Sequence, residues 1–424
     1  MKSALRGPTV VVCLFVVVWV CGSARAWDWP GEPGEEIQMS VVASAPAHCL
    51  EFGPNRSTWV TCVGSTIDFV LFADDYDFVY PSGGYDDLSF SNWRGDPPYK
   101  MLDEYQQWTG MYCGEWTNTF SSIGRYVYNP TACDAGNIYT DGSKQYELIV
   151  IVVNLTLDSP EDDMRFIVGM NECDIAVIAT VDGYYPADAS YDVRWWVTPE
   201  GGGSNEKGSM TSAGEGRYTA VWNTDYTERG NWEVKTVLYV NGNAMCSAQT
   251  ADIFCAKPTW PMCSGGTNGL IVQWLHGDSS WLGVDVDISG TGCSGTTPLL
   301  ASEDGSASPH QFTPSQDPCN TTYCYANLVS YNTFNVRLVN TTNPTYDSRS
   351  LQTDHWHMMN AGRTSGTVDY HQSLGNGGYS GNVQGSHDHF ITKVNGSCVS
   401  PDRTGATGNG SNTSCGQQLH PNWN

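Results

Sequence analysis

No stretch of this chain carries the three-and-four spacing of apolar residues that builds a long helix; short alternating runs recur instead. Ile67, Phe69 and Leu71 alternate after Gly64-Ser65, and Tyr191, Val193 and Trp195 alternate with Asp192, Arg194 and Trp196. Trp232, Val234, Thr236 and Leu238 repeat the pattern, as do Leu270, Val272 and Trp274. Val284, Val286 and Ile288 interleave with Asp285 and Asp287, and residues 146–157 form a β-branched run broken at Asn154. Clusters of Gly, Asn, Asp and Pro separate these runs. Such a pattern predicts an all-β protein of antiparallel sheets, each with a buried face, stacked as sandwiches.

The N-terminus predicts export. Lys2 and Arg6 precede an apolar run at 10–20, and Ala24-Arg25-Ala26 offers a small-x-small cut ahead of Trp27. That is the pattern of a secretory signal peptide over residues 1–26. The run is short of the roughly twenty apolar residues a bilayer requires, so no membrane insertion is expected. The localisation expected is secreted, extracellular or cell-surface. Against 20 basic side chains stand 45 acidic ones, a formal charge of −25. Such a surface repels nucleic acid and suits divalent cations or basic partners.

Thirteen of the fifteen cysteines lie outside the leader. In an oxidising compartment they are candidates for bridges. Proximity in sequence suggests Cys49–Cys62, Cys113–Cys133, Cys255–Cys263, Cys319–Cys324 and Cys398–Cys415. Cys173–Cys246 would join the ends of a middle domain, leaving Cys293 over. Glycosylation sequons stand at Asn55, Asn154, Asn320, Asn340, Asn395, Asn409 and Asn412.

The tripeptide Gly-Arg-Tyr occurs at Gly124-Arg125-Tyr126 and again at Gly216-Arg217-Tyr218, a spacing close to one immunoglobulin-like sandwich, and each copy opens a predicted strand. The pattern Gly64 through Phe69, Asp74-Asp75, Leu88 through Trp93 and Gly124 through Val127 resembles bacterial Ig-like or PKD-type modules. It departs from the PKD signature at Asn92-Trp93-Arg94-Gly95, and a Cys-bearing insertion occupies 101–119. Residues 173–255, with Gly216-Arg217-Tyr218 and the run Gly230-Asn231-Trp232-Glu233-Val234, resemble an early-set, filamin-like Ig domain. The resemblance implies tandem sandwiches and no catalytic residues. The expected organisation is a signal peptide at 1–26, β-sandwiches at 36–158 and 170–256, and a third β-domain at 267–363. An irregular Gly/Ser/Asn-rich region at 364–424 would be too poor in apolar residues for a core.

Two His-x-His stretches are the sharpest chemical signal: Asp354-His355-Trp356-His357 and His387-Asp388-His389. Residues two apart on a strand share a face, so each pair could present two imidazoles to one zinc, nickel or copper ion. The predicted ligands are His355, His357, His387 and His389, with Asp354 or Asp388 orienting a ring. Acidic groups at Asp74, Asp75 and Asp77, at Asp86-Asp87, at Asp162-Asp163 and at Asp285 with Asp287 suggest calcium between modules. Trp93, Trp108, Trp116, Trp260, Trp281 and Trp356 fall in predicted loops and could stack on sugar rings. No Gly-x-Ser-x-Gly elbow, His-Glu-x-x-His or phosphate loop is present. Gly290-x-Gly292-x-x-Gly295 spells a dinucleotide fingerprint but lacks a following helical pattern.

Together these features predict a secreted or surface-associated protein of disulfide-stapled tandem β-sandwiches, acting in binding, adhesion or extracellular structure. A protein or glycan partner and sequon glycosylation go with that reading. Two alternatives stay open: an extracellular metalloprotein built on the His-x-His pairs, and a carbohydrate-binding protein.

Overall fold

The computed structural model describes residues 38–53, 55–74, 88–102, 108–134, 143–169, 173–183, 190–262, 271–277, 279, 282–287, 297–313, 323–337, 346–380, 386–402, 417–419 and 421. Among these every regular element is a strand. The all-β expectation holds. The leader lies outside the described residues, as do Asp75, Asp77, Asp86 and Asp87.

The strands predicted from alternation form where expected. In Thr66–Asp74, the side chains of Ile67, Phe69 and Leu71 are fully buried. In Tyr191–Pro199, Val193, Trp195 and Val197 turn inward. Both Gly-Arg-Tyr copies stand at strand starts, in Gly124–Tyr128 and Arg217–Trp222.

Three layers make up the first two-thirds of the molecule. A four-stranded sheet containing Gln38–Ala43 and Thr66–Asp74 packs on a seven-stranded sheet centred on Glu147–Ser159. The other face of that central sheet packs on an eight-stranded sheet containing Tyr191–Pro199 and Gly230–Val240. Glu147–Ser159 explains why its sequence is apolar throughout. Leu148, Val150 and Val152 enter one core, while Ile149, Ile151 and Val153 enter the next. Its neighbours are parallel Arg56–Cys62 and antiparallel Gly124–Tyr128 and Ile175–Asp182.

The sheets cross the expected domain boundaries. Glu147–Ser159 serves the cores on both sides of the 158/170 junction. Arg165–Ile167 pairs in parallel with Gln249–Ala256 and with Phe334–Arg337, tying the third region into the second sheet. A bidentate pair from the Arg229 guanidinium to the fully buried Glu303 reinforces that junction.

The last sheet runs in the order Ile271–His276, Gly283–Asp287, His387–Val394, Leu351–Met358, Cys324–Tyr331, Gly305–Phe312 and Gly366–Val368. Its inner face buries Val284, Val286, Phe390 and Val394 with Trp260, Leu374 and Leu419. Among the described residues, the region expected to be irregular, 364–424, instead supplies strands and core side chains to this sheet. His387–Val394 lies near the middle of this sheet, and Leu374 and Leu419 fill its core. Composition missed this because five apolar residues in a Gly-rich stretch suffice when the other strands supply the rest of the core.

The disulfide map also differs. Cys62, closing Arg56–Cys62, bonds Cys246, beyond the hairpin strand Asn243–Ala244, over a separation of 184 residues. The expected Cys49–Cys62 and Cys173–Cys246 pairings are thereby overturned. Cys133, Cys173, Cys255 and Cys398 carry thiols, so Cys113–Cys133, Cys255–Cys263 and Cys398–Cys415 are not formed either. Cys293 and Cys319 lie outside the described residues. Nearness in sequence misled because strand pairing brings distant segments together. The bridge links two sandwich layers instead of closing a local loop. Of the sequons, Asn55 and Asn395 are exposed, Asn154 is half-buried within a strand, and the other four lie outside the described residues.

Candidate metal centre

Alternation along the last sheet decides which histidines meet. In His387–Val394, His387 and His389 share one face, and Asp388 and Phe390 share the other. The register sets Asp285 opposite His389 on one side and Trp356 opposite His389 on the other. Asp285, His387, His389 and Trp356 thus lie on the outer face. His355, opposite Phe390, points into the core.

His357 would follow His355 inward if the strand were regular. It does not, because the pairing shifts between Asn327↔His355 and Tyr325↔Met358, so Trp356 and His357 together face one residue. This bulge, with His357 at φ 64°, turns both side chains outward and returns Met358 to the core. Positive φ is uncommon for a residue with a Cβ and is found preferentially at functional sites. The imidazole of His357 comes to rest 4.8 Å from that of His387 and 6.4 Å from that of His389, centroid to centroid.

His276 joins from the sheet edge. It ends Ile271–His276, which forms a hairpin with Gly283–Asp287, and its ring lies 4.7 Å from that of His389. The Asp285 carboxylate is the hub. Its Oδ1 lies 2.8 Å from His389 Nδ1, 3.2 Å from His276 Nε2 and 3.6 Å from His387 Nε2. Four ligands at 2.0–2.1 Å around a tetrahedral ion stand about 3.3–3.4 Å apart, close to these spacings. The ligand atoms of His276, Asp285 and His389 all lie within 4.8 Å of one another.

Local packing selects the nitrogens. A Cβ at position 283 would stand 2.9 Å from His389 Nε2 and 2.8 Å from the Phe390 carbonyl oxygen. Gly283 therefore makes room for the His389 ring, whose Nε2 lies against the backbone while Nδ1 meets Asp285. His357 Nδ1–H donates to the Ser380 carbonyl at 2.7 Å, leaving Nε2 as its acceptor nitrogen. A second hydrogen bond of this kind commonly fixes the tautomer of a metal-bound histidine.

Electrostatics favour the neutral form of His357 and His276 and the charged form of Asp285. Burial, with the neighbouring His387 next, pushes His357 down to about 3. Burial also lowers His276, against the pull of Asp285. For Asp285 burial alone would raise the carboxyl, but the His389 hydrogen bond and nearby His387 outweigh it, and the group stays below its usual range. Neutral imidazoles with one carboxylate are the protonation state a metal requires. The rim is partly open, with side chains of His276, His387 and Asp285 exposed by 23%, 14% and 11%.

Of the four expected ligands, then, His357, His387 and His389 converge, whereas His355 does not. His276 and Asp285 complete the set. In the sequence Asp285 reads with Asp287 as an acidic pair suited to calcium, and His276 belongs to no motif. The hairpin between the two alternating runs was the available clue, since it brings His276 against the strand of Asp285.

The other candidate sites are dispersed. Asp162 Oδ1 accepts from the Asp252 backbone N–H, and Asp163 N–H donates to the Asp252 carbonyl, so this pair holds a turn. The side chain of Asp74 lies outside the described residues. Trp260 is core, against Phe390. Trp93 and Trp116 pack edge-to-face over the first core, and Trp116 stacks on Phe69. Trp356 is wedged between Phe312 and His389, its Nε1 donating to Asp354. Trp281 and the side chain of Trp108 lie outside the described residues.

Fold and site together define an all-β protein of layered sandwiches with a histidine-rich cluster on its last sheet. No protein-family model and no curated protein matches the chain. Among solved structures it is distantly similar to titin domains I67–I69, at 10% identity over 83% of this chain and 96% of that one, TM-score 0.30. It is likewise similar to three N-terminal domains of the bacteriophage RB49 outer capsid protein Hoc, at 12% identity over 82% and 99%, TM-score 0.25. The Escherichia coli adhesin FdeC aligns at 11% identity over 80% and 96%, TM-score 0.20. At these scores the likeness carries no functional argument, and the site is read from its own residues.

Proposed function

We propose that this chain is an extracellular metalloprotein whose last sheet holds one transition-metal ion through His276, Asp285, His387 and His389, with His357 as a further imidazole. The observation that carries this reading is the fan of three imidazole nitrogens, 2.8–3.6 Å from one Asp285 oxygen. Imidazole and carboxylate donors without thiolate suit zinc, copper or nickel and disfavour calcium, which requires six to eight oxygens. The ion would join three neighbouring strands and leave one side of the site open to a small ligand.

The test is a titration of purified protein with cobalt(II) and zinc(II). One equivalent should produce visible d–d bands that zinc displaces, and saturating zinc at a hundred times Kd should add about 2.7 kcal/mol of stability. A cobalt sample without bands, and a melting temperature unmoved by zinc, would end the proposal.

A second reading concerns the rest of the chain. The layers joined by Glu147–Ser159 and the Cys62–Cys246 bridge support a rigid secreted scaffold of Ig-like or PKD-like ancestry, acting in binding or adhesion. A protein or glycan partner would engage its exposed loops. Binding on a glycan or extracellular-protein array tests that part independently of the metal.

A further inference from the structure

Behind the histidine cluster, on the inner face of the same two strands, lies a second His–Asp pair. His355 and Asp388 are both fully buried, and His355 Nδ1–H donates to Asp388 Oδ2 at 2.9 Å. Asp388 stands between His387 and His389 in the chain, and His355 is two residues before His357. The pair therefore ties together, from beneath, the two strands that present three of the outer imidazoles.

A buried hydrogen-bond chain backs this pair. The Ser302 backbone N–H donates to the Tyr331 hydroxyl at 3.1 Å. The Tyr331 hydroxyl is hydrogen-bonded to Thr353 Oγ1 at 2.7 Å, and Thr353 Oγ1 to His355 Nε2 at 3.2 Å. Both ring nitrogens of His355 are thereby engaged, which holds the ring in place. Asp388 ends the chain, accepting from His355. Its other oxygen, Oδ1, is buried with no hydrogen-bond partner. Among the described residues its ion-pair partner is His355.

A buried carboxylate satisfied on one oxygen alone is costly in a low-dielectric interior. Building on the metal reading above, we infer that Asp388, held by His355, is a positioning residue of the centre: the buried pair fixes from beneath the two strands that present His357, His387 and His389.

The test compares zinc affinity, by chelator competition, and the cobalt(II) absorption spectrum across variants of the full chain. Asp388→Asn keeps the shape and exchanges the hydrogen bond from His355 to a carboxylate for a weaker one to a neutral amide. It should weaken zinc at least tenfold and shift the cobalt bands, in the range seen when residues supporting metal ligands are changed. His355→Leu, which strips the donor from Asp388, should do the same and serves if the asparagine variant does not fold. His355→Gln, which restores an N–H donor, should recover most of the affinity lost in the leucine variant. Folded Asp388→Asn or His355→Leu protein with wild-type affinity and spectrum would overturn the inference while leaving the metal site standing. Wild-type protein that takes up no metal would remove both together.

Discussion

The strand Glu147–Ser159 buries Leu148, Val150 and Val152 in one core and Ile149, Ile151 and Val153 in another. The strand His387–Val394 also has both faces covered, yet it buries Asp388 on one and His389 on the other. Each is a central strand with neighbours on both sides. The first is bonded into the fold by apolar area, at roughly 25 cal/mol per Å² removed from water. In the second, that contribution is partly replaced by charged and polar groups that cost free energy unless each has a partner. A chain that keeps such groups in mid-sheet gains something other than stability from them, and the cation proposed for the outer face would account for the arrangement.

The comparison can be broken most severely on the apolar side. Ile151→Asp would place an unpaired carboxylate inside the second of the two cores and should cost more than about 4 kcal/mol, or prevent folding altogether. Urea unfolding, or the absence of soluble protein, reads this out. A variant as stable as wild type would mean the two-sided burial is wrong. Next in size is the bridge between layers. Replacing Cys62 and Cys246 by serine should lower stability by about 3–5 kcal/mol, given the long loop closed, again measured in urea. On the polar side, His389→Ala should weaken zinc about a hundredfold, some 2.7 kcal/mol, while the metal-free protein still melts cooperatively. Equal zinc affinity in this variant would move the site elsewhere.

Gly283→Ala should act more mildly. The added methyl pushes His389 off Asp285 and should cost about tenfold in zinc affinity, with isothermal titration as the check. The smallest effect concerns thiols in the apolar interior. Burial pushes Cys173 up to about 12 and raises Cys255 as well. Since the thiolate is the reactive form, neither should alkylate at pH 8 until the protein unfolds. Rapid labelling of native protein, followed by peptide mass spectrometry, would contradict the packing of both.

The same contrast explains what could be read from the sequence. Period-two patterns at Ile67, Val193 and Val284 located strands because one buried face imposes strict alternation. The all-apolar run at 146–157 signalled a strand but not its position between two cores, since burial on both faces erases the periodicity that would name a partner. The His-x-His pairs were visible as spacing. Spacing predicts a shared face only in a regular strand, however, and the bulge at Trp356-His357 sends His355 inward and His357 outward. His276 and Asp285 were hidden because their meeting depends on a hairpin register. Disulfide pairing failed for a related reason: Cys62 and Cys246 are neighbours only after the layers stack.

The most direct measurement is the metal content of protein purified from a secretory host without chelators. Elemental mass spectrometry should find about one zinc, copper or nickel ion per chain, reduced to background in His389→Ala. Metal-free wild-type protein that also fails to take up added zinc would contradict the account, leaving the polar strand without its reason.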